Sequence, residues 1–135
     1  NFKNNIISLM TEWNNKNKKV KRNKDNDLGA TMRLGSYPCH IKKSSLASRI
    51  YKKKLINERH RHRYEVNIKF KSIVEKRDLL FSGFSKDKKL LEIVENKKHK
   101  WFIAVQFHPE LKSKPFKPHP LFLSFIRNSL LHKNA

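Results

Sequence analysis

The sequence predicts an α/β fold with more strand than helix, and three observations carry that prediction. Short apolar runs of strand length recur along the chain, at Ile6–Trp13, Leu79–Phe84, Leu90–Glu95 and Trp101–Phe107. Two segments instead place apolar residues at helical spacing: Phe70, Ile73 and Val74 after Asn67, and Phe122, Phe125, Ile126 and Leu130 after Pro120. The links between these runs are polar or proline-punctuated, and no internal repeat is visible. At 135 residues the chain is of single-domain size.

Taken in order, Ile6–Trp13 (IISLMTEW) is expected as a mostly buried strand. It follows almost at once on Asn1, so its partners are expected upstream and the chain is expected to be a piece of a larger domain. Asn14–Asp27 is polar and nearly free of apolar residues, the composition of a long hairpin or flexible loop. Thr31–Ile41 reads as extended, with Pro38 marking an edge or a bend. Ser45–Lys53 forms a short helix capped by Ser44 or Ser45. Glu58–Val66 (ERHRHRYEV) also reads as extended, although nearly every position is charged. Asn67 caps the next helix, three strands follow, and Lys112–Pro120 links to a closing helix over Leu121–Leu131 started by Pro120.

Thirty-two Lys and Arg stand against eleven Asp and Glu, a formal net charge of +21. A nucleic-acid binder is the first class such a balance suggests. The distribution points elsewhere. Lysines are scattered over loops and polar stretches (Lys16, Lys42, Lys52, Lys86, Lys97), with asparagine abundant beside them. RNA modules interleave aromatics with cations on one face. Here Phe102, Phe107, Phe122 and Phe125 fall in apolar runs and read as core. The Lys/Asn excess is therefore read as drift at solvated positions, as in a genome biased toward A and T. One cysteine excludes an internal disulfide framework and a Cys-rich zinc site. No signal-peptide core and no stretch of membrane-spanning length is present, which predicts a cytoplasmic protein with no membrane partner.

The sharpest local signal is Gln106-Phe107-His108-Pro109-Glu110. A strand ends at a proline that fixes the turn, and His108 and Glu110 are two apart, on one side of extended backbone. Glu110 can then accept from one ring nitrogen of His108 while the other faces a cleft, which is the base-and-orienter half of a nucleophilic triad. An isolated His-x-Glu is more often a surface histidine in a loop.

The FHPE motif after a strand resembles the His/Glu end of class I glutamine amidotransferases. LMTEW at Leu9–Trp13, DLGATMRLG at Asp27–Gly35, ERHRHRYEVN at Glu58–Asn67, WFIAVQFHPE at Trp101–Glu110 and HPLFLSF at His119–Phe125 resemble the same region of CTP synthases in the same order. The resemblance covers about Ile6 to Phe125. It implies a class I amidotransferase fold with a mainly parallel central sheet, an antiparallel addition and an incomplete N-terminal side. Residues 1–135 would be the C-terminal part of the glutaminase domain, with the nucleophile elbow and a synthetase domain absent.

The implied reaction is glutamine hydrolysis, with ammonia passed to a synthetase domain that uses ATP to aminate UTP to CTP. His108 is then the general acid/base, Glu110 its orienter, and Arg63 the ligand of the substrate L-glutamine through its carboxylate. Arg63 is equally one of three alternating arginines, Arg59, Arg61 and Arg63, that a solvated basic strand face would show. Arg22 matches the place of an arginine that contributes to activation by GTP, and it is as readily a solvated loop residue. Cys39, in SYPCHI, lacks the small flanking residues of the family's Gly-x-Cys-x-Gly elbow and reads as core. The nucleophile is expected upstream, so the isolated chain is expected to be inactive. His60 and His62 have metal spacing but no third ligand, so no metal is expected. No cofactor is expected in this segment; ATP and Mg2+ belong to the synthetase domain, and GTP is an allosteric activator. A homotetramer is implied for the full-length enzyme.

Three departures from the family pattern are visible: Ala30 for a glycine, Lys100 for a proline and Asp78 for a glycine. Asp tolerates turn conformations and Lys100 is expected to be exposed. Two readings compete with the enzyme: a basic RNA-binding module, and an amidotransferase remnant that has lost catalysis.

Overall fold

The computed structural model describes residues 5–9, 12–15, 18–21 and 32–133. Arg22, Leu28 and Ala30 lie outside the described residues. The strands are β1 (Ile7–Leu9), β2 (Glu12–Asn15), β3 (Lys18–Lys21), β4 (Arg33–Ile41), β5 (Leu55–His62), β6 (Tyr64–Val66), β7 (Leu79–Phe84), β8 (Leu91–Asn96) and β9 (Ile103–Val105). The helices are α1 (Leu46–Tyr51), α2 (Lys71–Glu75) and α3 (Pro120–Lys133), with 3-10 turns at Ile68–Phe70 and Pro109–Leu111. A five-stranded sheet runs β5-β4-β7-β8-β9, and β1-β6 and β2-β3 form two small ladders.

The mixed α/β class holds, but the expected mainly parallel sheet does not describe these residues. Every ladder among the described strands is antiparallel. The connections explain it. The link from β7 to β8 is a tight turn, in which Ser85 and Lys88 bond to each other and Leu90 to the Ser85 hydroxyl. The link from β4 to β5 carries only the six-residue α1. Such a helix spans about 9 Å, too little to return along the nine residues of β4 for a parallel crossover.

Most local expectations hold. Ser45 caps α1 in a reciprocal capping box with Ser48. Pro38 lies where β4 is paired only with β5, because β7 joins it at His40 and Ile41 alone. Asp78 takes φ 63, the left-handed conformation a glycine would favour, and Lys100 is exposed. A β-bulge bends β7 at Gly83, where any Cβ would overlap Ile93.

Burial departs from expectation in four places. Ile6 and Ile7 are exposed rather than buried. Ile73 is exposed too, and the Asn67 cap serves a 3-10 turn before the short α2. In α3 the expected core face of Phe122, Phe125, Ile126 and Leu130 is open, and Leu121 is the residue it buries. Phe102 is likewise exposed, so of the four phenylalanines read as core only Phe107 is buried.

The core is Cys39, Ile41, Ala47, Tyr51, Ile56, Ile93, Phe107 and Leu121. Beside it lies an unusual number of buried polar groups, among them Arg33, Glu58, His60, Glu65, Glu92 and Glu95. Glu95 ties the sheet to α1: its two carboxylate oxygens accept from the Leu46 and Ala47 N–H groups, each at 2.8 Å. These N–H groups have no intrahelical partner, so a carboxylate is the fitting group there.

Candidate active site

His108 follows the buried Phe107 and ends the segment that leaves β9. Its N–H donates to the Arg59 carbonyl at 2.8 Å, which fastens it to β5. Pro109 then opens a 3-10 turn. His108 Nδ1 and Glu110 Oε1 lie 2.7 Å apart across this turn. The pairing is the expected one, but a turn makes it and not two neighbours on one face of a strand. Both side chains are partly exposed. Because an ionised carboxylate only accepts, Nδ1 carries the hydrogen, and in the neutral ring the lone pair is on Nε2. The Glu110 carboxyl is held below the usual carboxylate range by a bond from its own backbone and by His108.

Arg63 occupies the bend between β5 and β6. Arg59 and Arg61 point outward from β5, whereas Arg63 is half-buried. The three therefore do not form one basic face. Among the described residues no carboxylate pairs with Arg63, and its Nε is buried without a partner. A guanidinium so placed suits a carboxylate from outside the described residues.

Cys39 is fully buried, and burial first of all pushes its thiol up to about 12. It is a core residue with no thiolate to offer. His60 and His62 are hydrogen-bonded to each other, with His60 Nδ1 and His62 Nε2 2.8 Å apart. Among the described residues no cluster of three His, Cys, Asp or Glu side chains has the makings of a metal site. No described helix is long and apolar enough to cross a membrane.

Sequence reasoning missed a group behind this site. Arg33 Nη2 stands 2.6 Å from Glu92 Oε1 and Arg33 Nη1 3.4 Å from Glu65 Oε1, and all three side chains are nearly inaccessible. Its one local signal is a charged residue alternating inward on a strand, as Glu58 and His60 do in β5.

The class I glutamine amidotransferase family model matches residues 8–128. This chain belongs to that family. It is 60% identical over 128 residues to a CTP synthase of Pelagibacter ubique, covering 95% of this chain and 24% of that protein. To a CTP synthase of Rhodospirillum rubrum it is 56% identical, over 93% of this chain and 23% of that protein. The chain thus spans about a quarter of the length of these relatives. Its fold is similar to that of the Trypanosoma brucei CTPS glutaminase domain with bound acivicin, with a TM-score of 0.74 and 39% identity. That match covers 81% of this chain and 42% of the trypanosomal one.

Proposed function

We propose that this chain is the C-terminal part of the glutaminase domain of a CTP synthase, with His108, Glu110 and Arg63 its contribution to glutamine hydrolysis. The observation that carries the reading is the His108–Glu110 pair at 2.7 Å. It fixes the tautomer and leaves Nε2 to take a proton from a thiol and later give it to the leaving ammonia. A cysteine thiolate attacks the glutamine amide carbon, the C–N bond breaks to give a thioester, and water then hydrolyses it. Cys39 is too buried to be that thiol, so the nucleophile comes from another part of the protein. Arg63 receives the α-carboxylate of glutamine.

In the whole protein the ammonia passes to a synthetase domain that aminates UTP with ATP and magnesium. GTP is the activator, with Arg22 as a contact, and the enzyme is a cytoplasmic homotetramer. Similarity to CTP synthases over nearly the whole chain supports this reading.

The test is His108→Ala in the full-length enzyme. Glutamine-dependent CTP formation should fall at least about a hundredfold, while synthesis from free ammonia, which bypasses the thioester, stays within about twofold. Equal loss with both nitrogen donors would assign His108 to folding. The 135-residue chain alone should not hydrolyse glutamine. Hydrolysis by it that is lost on Cys39→Ala would overturn both the fragment reading and the exclusion of Cys39.

A further inference from the structure

One buried chain of polar groups lies behind both Arg63 and His108, and its protons can be placed by following it from one end. His62 Nδ1 is 3.0 Å from the Tyr64 carbonyl and 3.6 Å from Glu65 Oε1. Both are acceptors, so Nδ1 carries the hydrogen. A neutral His62 then offers its Nε2 lone pair to His60 Nδ1 at 2.8 Å, and that nitrogen must carry the hydrogen. His60 Nε2 is left with a lone pair, fully buried and 3.5 Å from Glu92 Oε2. Two lone pairs facing each other away from water are unfavourable, and a proton on the Glu92 carboxyl removes the conflict.

The partners of Glu65 exclude the other place for that proton. Arg33 donates to it, and so does the Gln106 amide in the orientation that also lets its oxygen accept from Val66 N–H at 3.1 Å. Glu65 is therefore the anion that balances Arg33. Burial holds His60 down at about 2 and His62 at about 4, keeping both rings neutral. It raises Glu92 and also raises Glu65, to about 8, so the choice between the two carboxyls rests on these contacts.

The chain touches both site segments. The His62 ring bridges to the Tyr64 carbonyl and so closes around Arg63. The His60 ring meets the Phe107 ring edge-on at 5.9 Å, Gln106 is held by Glu65, and the Arg59 carbonyl beside His60 accepts from His108. Tyr37, under Arg33, closes the other side of His60 at 5.7 Å.

We propose that the buried chain Arg33–Glu92–His60–His62 holds one proton on Glu92 and keeps Arg63 and His108 in place, with His62 the positioning residue for Arg63. The positioning role rests on the glutaminase reading; the proton placement does not.

Two measurements test it. Long-range proton–nitrogen correlation on the ring nitrogens of the labelled chain should show both His60 and His62 as neutral Nδ1–H tautomers between about pH 5 and 8. An Nε2–H form of either ring, or a titration of either in that range, would overturn the placement. In the full-length enzyme, His62→Leu should raise KM for glutamine about tenfold with kcat within about threefold. His62→Asn, whose amide can still donate to the Tyr64 carbonyl, should stay within about threefold of wild type in both. Synthesis from ammonia, unchanged in each variant, controls for folding. A Leu variant with wild-type KM, or an Asn variant as impaired as Leu, overturns the positioning role. A wild-type enzyme that hydrolyses no glutamine overturns the glutaminase reading and the positioning role with it, and the ring tautomers still decide the proton.

Discussion

Replacing Arg63 by Ala in the full-length enzyme separates substrate binding from chemistry. The guanidinium has no carboxylate partner among the described residues, and its Nε is already out of water without a hydrogen bond. Part of the cost of desolvating it is therefore met on folding, before glutamine binds, which favours a strong pair. A charge-assisted pair of this kind is worth about 1.5–3 kcal/mol. At about 1.4 kcal/mol per factor of ten, KM for glutamine should rise roughly ten- to a hundredfold. The assay is steady-state CTP formation against glutamine concentration, with ammonia as the parallel nitrogen donor. Ammonia-dependent rates should hardly move, since free ammonia bypasses the step in which Arg63 is proposed to act. Lysine should rescue only partly, because it keeps the charge and loses the two-pronged geometry. A stably folded Arg63→Ala enzyme with unchanged KM would refute the assignment.

Two further outcomes follow from the buried carboxylates. Glu95→Ala leaves the first two N–H groups of α1 without their acceptor, and should cost about 2–4 kcal/mol in urea unfolding, with Glu95→Gln costing about half as much; equal stability of wild type and Ala variant would mean that solvent replaces the carboxylate. Glu92 is raised above its ordinary 4.5 chiefly by burial, so folding takes up a proton there, and the wild type loses stability as pH rises from that value through the folded-state one. Glu92→Gln has no such proton to lose, whereas the rise of Glu65, caused first by burial and only in part by the Glu92 charge, persists in the variant. The melting temperature of the variant relative to wild type should therefore increase as pH rises above the ordinary 4.5 of a glutamate, and a flat difference would place the proton elsewhere.

The two halves of the site differ in how far the sequence displays them. His108 and Glu110 are legible because their pairing is local: one proline and one turn bring them together. Arg63 was not separable from Arg59 and Arg61 by spacing, since the period of a strand treats all three alike; the bend between β5 and β6 is what sets it apart. Arg33, Glu65 and Glu92 left only a faint local trace, an inward-facing charge on a strand. Arg33 and Glu65 are 32 residues apart, and Glu92 reads as one charged residue in an apolar run until β8 places it against Arg33. The face of α3 was misjudged for a related reason. Helical spacing says which residues share a side, but not what covers that side.

The same distinction bears on the charge. Of the eleven acidic residues, Glu58, Glu65, Glu92 and Glu95 are buried, each against a named partner. Glu58 receives His119 at 3.1 Å and Lys112 at 3.1 Å, Glu65 and Glu92 share Arg33, and Glu95 holds α1. No lysine stands among the buried polar residues of the described chain, while one arginine and two histidines do. Interior charges must satisfy specific partners and resist substitution, because removing one member strands the other. Surface positions carry no such constraint. A basic excess that accumulates by drift should therefore spare the buried acids and collect as lysine outside, which is the partition observed. A basic surface selected for nucleic acid would instead gather its cations on one face. Aromatic burial does not argue against it, since Phe102, Phe116, Phe122 and Phe125 are exposed. The experiment that divides the two is exchange of scattered lysines such as Lys42, Lys52, Lys86 and Lys97 for glutamate. Drift predicts undiminished glutamine-dependent activity, and a general loss of function would show that the excess is selected.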